Sequence, residues 1–181
     1  TLSTEVLGEF DRVLDDISAM NPRALVIRSG KDSGFIAGAD IEEFLEVKTA
    51  EDAKRMIRGG WDPFNKLEAL PFPTVALING FCMGGGMGVA CACDLRIAAE
   101  GAKFGEPAAK LGLGYGYTGV NRLAHIVGVS RAMELFYTAR QVTSKEAYDM
   151  GLVNRVVPTA EIDAAVGEWT GMIAQNAPCS R

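Results

Sequence analysis

The chain has 181 residues and a formal net charge of −5, from 18 lysines and arginines against 23 aspartates and glutamates. That length suits a single domain able to bury about two-thirds of its unfolded surface. The acidic balance speaks against the basic footprint of a nucleic-acid binder, while leaving open a local basic patch for a phosphate-bearing ligand.

Apolar residues Val6, Leu7, Phe10, Val13, Leu14 and Ile17 fall at helical spacing, which predicts an amphipathic first helix. "ALVIRSG", residues 24–30, reads as a buried strand ending at a Ser-Gly turn. Residues 34–38 read as loop, and "ADIEEFLEV" from Ala39 restarts a helical pattern. Residues 50–70 predict a helix with Met56, Ile57, Trp61, Phe64 and Leu67 on its apolar side. "PFPTVALING" (71–80) and "DLRIAAE" (94–100) predict two further strands, with Asp94 capping the turn into the second. Past Phe104 the pattern is helical. "RAMELFYTA" is amphipathic, and "SKEAYDMG" opens on a serine cap and closes on glycine. "LVNRVV" reads as a short strand and residues 160–175 as a last helix. The alternation of strand and helix predicts an α/β architecture of sheets covered by helices.

Cys82, Cys91, Cys93 and Cys179 form no C-x-x-C pair, and His125 is the single histidine. Buried thiols in a reducing compartment are expected rather than a zinc site. No apolar stretch reaches membrane-spanning length. The opening "TLSTEVLGEFDRVLDD" lacks the basic start of a secretory leader and carries five acidic residues. The cytoplasm is the expected setting.

Two stretches share one logic. The strand at 24–28 leads to "GFIAGADIEEF", and the strand at 74–78 leads to "GFCMGGGMGVA". In each, small residues separate a buried strand from a helix start. A helix start leaves backbone N–H groups without partners and carries partial positive charge. Two such ends facing each other would aim two donors at one oxygen, the geometry that stabilises an oxyanion or enolate. For the triplet Gly84–Gly86 alone, a tight turn or close packing accounts for the glycines equally well. No G-x-x-x-x-G-K-[ST] motif occurs, and the glycine order does not fit a dinucleotide fingerprint.

"FIAGADIEEF" and "NGFCMGGGMGVACACDLRIAAEGAKFGEP" resemble the two signature regions of the crotonase superfamily, the enoyl-CoA hydratase/isomerase family. The resemblance continues through "VGVSRAMELFYTARQVTSKEAYDMGLVNRVVP" and covers essentially the whole chain. It implies a spiral of ββα units forming one domain, with a core spiral at about 1–158 and the start of a C-terminal helical region at about 159–181. Against the family pattern the chain begins at the first helix, without N-terminal strands, and stops at "NAPCSR", before the C-terminal helices. The resemblance also implies acyl-CoA substrates, no cofactor beyond the coenzyme A of the substrate, and a homotrimer or dimer of trimers. It places the two oxyanion-hole amides at Ala39 and Gly85. Ala39, Asp40 and Ile41 fall near the coenzyme A, and Gly84 and Gly86 flank the ligand.

Hydratases of this family use two glutamates, one to activate water and one to protonate the α-carbon. The matching positions here are Gly88 and Ala108, and the aspartate of the dienoyl isomerases falls near Gly116. None of these three ionises, so efficient hydration is disfavoured. Glu106 and Tyr115 are the remaining candidates for proton transfer. Were Glu106 on a strand, it would share a face with residue 108; a solvated or helix-capping carboxylate is the alternative. Tyr115 lies in "LGLGYGYTG", which is similar to the loop of the superfamily's methylmalonyl-CoA decarboxylases that carries a tyrosine at the matching position. Its alternative is an aromatic packed on the acyl chain. Lys110 reads as a surface cation and His125 as a structural or surface residue. The leading expectation is an acyl-CoA enzyme with decarboxylase- or isomerase-type chemistry. The competing one is a catalytically silent acyl-CoA-binding or assembly subunit.

Overall fold

The computed structural model describes residues 1–178, so Cys179 lies outside the described residues. Four strands, β1 (Leu25–Arg28), β3 (Thr74–Ile78), β5 (Leu95–Ala99) and β8 (Arg155–Val157), form a parallel sheet in the order β1-β3-β5-β8. A second sheet runs β2 (Gly34–Ile36), β4 (Phe81–Met83), β6 (Lys103–Gly105) and β7 (Gln141–Thr143), with β7 antiparallel to β6. Each strand of the first sheet from β1 to β5 turns a short corner into a strand of the second. A helical segment then returns the chain. The result is a ββα spiral.

The helices are α1 (Thr4–Met20), α2 (Ala50–Glu68), α3 (Gly85–Ala92), α4 (Tyr117–Val127), α5 (Val129–Thr138), α6 (Ser144–Asp149) and α7 (Ile162–Gln175). Strand β3 is buried along its whole length. Its side chains alternate between two cores, as the strand period of two requires. Val75 and Leu77 pack with Ile97, Val157 and the α7 residues Ile162, Ala165 and Val166. Ala76 and Ile78 face the larger core, which holds Leu14, Phe64, Leu67, Phe104 and most of α3.

The sequence reading misses the four strands of the second sheet. Each is three residues long, too short for a hydrophobic period to register. The predicted helix from Ala39 is a short 3-10 segment, Glu42–Glu46, with no buried residue. The cap of α6 is Thr143 rather than Ser144: its hydroxyl accepts from Glu146 N–H, while the Glu146 carboxylate accepts from Thr143 N–H. Asp94 joins two strand starts, its carboxylate accepting from Thr74 N–H and Oγ1 at 2.7 and 2.9 Å. Cys82, Cys91 and Cys93 are buried free thiols. No helix of the described residues is long and apolar enough to cross a membrane.

One buried cation anchors the far end of α3. Arg96 is 5% exposed. Its guanidinium donates to the carbonyls of Leu152, Cys93 and Ala90 at 2.7, 2.7 and 3.2 Å. A positive charge against carbonyls at a helix C-terminus opposes the negative end of the dipole. Arg96→Met leaves those carbonyls buried without donors and is expected to lower unfolding stability by about 3 kcal/mol, read from urea denaturation.

Candidate active site

Strands β2 and β4 are parallel neighbours, so the segments that leave them, Ala37–Ala39 and Gly84–Gly86, emerge side by side. Gly84 adopts φ +50, ψ −114, a conformation open to glycine and strained for other residues. At Gly86 the backbone of α3 closes on the Ile36 carbonyl, and a Cβ would have no room. A Cβ on Gly85 would lie 3.6 Å from Ala39 N, so these two amides are immediate neighbours.

Both amides are directed away from ordinary partners. Gly85 begins α3, where first-turn N–H groups have no intrahelical acceptor. Leu2 N–H donates to Gly38 O at 2.8 Å and Asp40 N–H donates to Leu2 O at 3.1 Å. That bridge uses the groups on either side of Ala39 N–H and turns it to the opposite edge. The Leu2 side chain covers Gly85 from the flank. Ala39 and Ile41 are exposed, and the Asp40 carboxylate accepts from Glu42 N–H at 3.1 Å, starting the 3-10 turn.

Glu106 follows β6 directly, and β6 is tied to the glycine turn by Gly84 N–H donating to Gly105 O at 2.9 Å. The carboxyl is therefore held over the turn: a Cβ on Gly84 would lie 3.9 Å from Glu106 Oε1. Glu106 is not solvated: it is 3% exposed. It stands at the N-cap of the 3-10 turn that follows, Pro107–Leu111, and Ala108 N–H of that turn donates to its carboxylate. It does not share a strand face with Ala108, which belongs to the turn. Burial pushes the Glu106 pKa from 4.5 up to about 7, against the opposing pull of the Tyr115 hydroxyl and Ala108 N–H.

Tyr115 is half-buried, with its ring between Trp61 (centroids 5.4 Å apart) and Phe136 (5.1 Å). Its hydroxyl donates to Glu106, and burial, with the Glu106 charge second, pushes its own pKa up. Met87, Gly88 and Cys91 of α3 join Glu106, Tyr115, Gly119, Leu123 and Phe136 around a cavity of about 10 Å³, room for a single water. Burial raises the Cys91 thiol to about 11, so it stays neutral. Trp61, Phe64, Cys91 and Phe136 were not foreseen as site residues. In the sequence they are ordinary apolar positions, and only the fold brings them to one place. Ala108 is buried, Gly116 caps α4, and Lys110 and His125 are exposed.

The site thus brings two neighbouring backbone amides at a strand–helix junction together with a desolvated carboxyl. The family model described as enoyl-CoA hydratase/isomerase matches residues 1–180, and the chain belongs to that family. It is 39% identical over 178 residues to a short-chain-enoyl-CoA hydratase of Clostridium acetobutylicum, covering 98% of this chain and 68% of that protein. It is 44% identical over 161 residues to the fatty acid oxidation complex subunit alpha of a Shewanella species, covering 87% of this chain and 23% of that one. Among solved structures, an enoyl-CoA hydratase/carnithine racemase of Magnetospirillum magneticum superposes with a TM-score of 0.93 at 32% identity, over 98% of this chain and 67% of that one. An enoyl-CoA hydratase of Bacillus anthracis gives 0.91 at 35% identity, over 98% and 69%.

A carboxyl whose pKa rises on folding binds a proton more tightly in the folded state. Stability therefore falls as pH rises from about 4.5 to about 7, and the loss is complete above that range. Relative to Glu106→Gln, which does not titrate, the wild type is expected to lose ~3 kcal/mol between pH 4 and pH 8, measured by urea denaturation at each pH.

Proposed function

We propose that this chain acts on acyl-CoA thioesters by proton transfer beside the thioester carbonyl, with Glu106 as the single proton carrier. The observation that carries the reading is the buried Glu106 carboxyl, held over the Gly84–Gly86 turn with a pKa of about 7. A group poised near the working pH serves as base and then as acid within one turnover. In the isomerase form of the reaction, the Glu106 carboxylate removes the α-proton of a β,γ-unsaturated thioester. The dienolate oxygen receives hydrogen bonds from Ala39 and Gly85 N–H. The protonated carboxyl then returns the proton to the γ-carbon, the double bond moves into conjugation, and no proton is gained or lost.

Tyr115 stands in this reading as a hydroxyl that steadies the Glu106 carboxylate. Ala39, Asp40 and Ile41 border the coenzyme A, and Gly84 and Gly86 keep the backbone open to the thioester. Hydration by two glutamates finds no support at Gly88 and Ala108, which hold no proton. Decarboxylation fits less well, because a carboxylate-bearing acyl group would meet Glu106 in a cavity whose lining holds no cation. A silent binding subunit would have no use for a carboxyl whose burial costs stability. The trimeric or hexameric assembly and the cytoplasmic setting belong to the same reading and rest on the resemblance to the family.

Deuterium incorporation at the α-carbon of butyryl-CoA in heavy water, followed by mass spectrometry, tests the proposal. The rate is expected to rise with pH through about 7, as Glu106 ionises. Glu106→Gln should lower it at least 100-fold. Tyr115→Phe removes a hydrogen bond to the charged form and should move the profile to higher pH. Exchange that survives Glu106→Gln unchanged would exclude Glu106 as the carrier.

A further inference from the structure

The helix α2 sends two aromatic rings toward the glycines that line the Glu106 cavity. A Cβ on Gly88 would lie 2.8 Å from Phe64 Cε2 and 3.2 Å from Phe64 Cδ2, so the Phe64 ring already fills the space where a side chain at 88 would begin. The Trp61 ring closes on Gly119 in the same way, from the α4 side. The two rings meet edge to face at 5.7 Å, and Trp61 continues the contact to Tyr115. Phe64 is 4% exposed and belongs to the main core, so its position is set by packing on all sides. The space left beside Glu106 has room for one water. Phe64 and Trp61 stand directly behind Gly88 and Gly119 of its lining and leave no second place there, so an acyl carbon that reaches the carboxyl takes the room of that water.

From this geometry we infer that Phe64 is a specificity-determining residue: it denies the site a nucleophilic water and so commits a bound enoyl thioester to proton transfer rather than water addition. The inference rests on the proton-transfer reading above. Water addition places a hydroxyl on the β-carbon and a proton, here from Glu106, on the α-carbon, and the proton that the attacking water gives up returns to the Glu106 carboxylate, so none is gained or lost. The second half is available in the wild type, and Phe64 blocks the first. Restoring a glutamate at 88 is consequently not enough, because its Cβ collides with the ring.

The test compares wild type, Phe64→Ala, Gly88→Glu and the double variant, with Phe64→Leu as a second variant that keeps more of the core filled. Conversion of crotonyl-CoA to 3-hydroxybutyryl-CoA reports water addition, α-deuteration of butyryl-CoA reports proton transfer, and thermal unfolding reports packing. Gly88→Glu alone is expected to lower Tm with no gain in hydration. Phe64→Ala or Phe64→Leu should raise the ratio of hydration to exchange at least ten-fold, and the double variant further, with part of the Tm loss recovered. Exchange retained but hydration flat in every Phe64 variant would overturn the role of Phe64 alone. Hydration gained by Gly88→Glu without a Tm loss would overturn it as well. A wild type that exchanges no α-proton would overturn the proton-transfer reading, and the role of Phe64 with it.

Discussion

The approach of the α3 N-terminus to the strand β2 is the constraint on which the rest of the site depends. At Gly86 the helix backbone sits on the Ile36 carbonyl, with no space for even a methyl group. That contact sets the distance between two chain segments that are about 45 residues apart. It places Gly85 N–H beside Ala39 N–H and fixes the direction of α3. Any larger residue at 86 would lever the helix away from β2 and separate the amides. The positive φ of Gly84 serves the same end, because it turns the chain sharply enough for the helix to start at once.

Burial of Glu106 follows from the same arrangement. The strand β6 is hydrogen-bonded to β4, and the pairing of Met83 with Gly105 brings the residue after β6 alongside the residue after β4. Position 106 must therefore face the glycine turn, whatever occupies it. Pro107 then starts the next turn and carries the chain away from solvent contact at 106. A carboxyl placed there loses its hydration and receives only two hydrogen-bond partners in return, the Tyr115 hydroxyl and Ala108 N–H. Its raised pKa is a direct result of sheet register rather than of any neighbouring charge.

Much of this architecture is legible in the sequence, and the limits have physical causes. The long periodic helices α1, α2 and α7 and the apolar strands β3 and β5 carry enough residues for their period to register. The second sheet does not, since its three-residue strands are held by neighbours distant in sequence rather than by their own pattern. At the site, the glycine triplet and the small residues before Ala39 are visible because close backbone approach demands them. The environment of Glu106 is not visible. A glutamate before a proline looks the same whether solvated or buried, and only the placement of α4 and α5 around it decides. Trp61 and Phe64 read as one apolar helix face, which they are; that this face abuts Gly88 and Gly119 is information held by the tertiary packing.

The two cores divide the labour between scaffold and site. Val75, Leu77, Ile97 and the α7 residues form a cluster of their own on the far face of the first sheet, away from the amides and from Glu106. The larger core contains Phe64, α3 and Phe104 and continues without interruption into the cavity wall. A buried carboxyl weakens the packing around it, and a protein is only marginally stable to begin with. Placing that group against the larger core, with a separate apolar layer behind the first sheet, lets the cost of Glu106 fall on a part of the molecule that has other support. The uncharged character of α3 belongs to the same solution. Its residues Met87, Val89, Ala90, Cys91 and Ala92 are buried, so the body of the helix lies in a low-dielectric surrounding, where its dipole is screened less than at a protein surface.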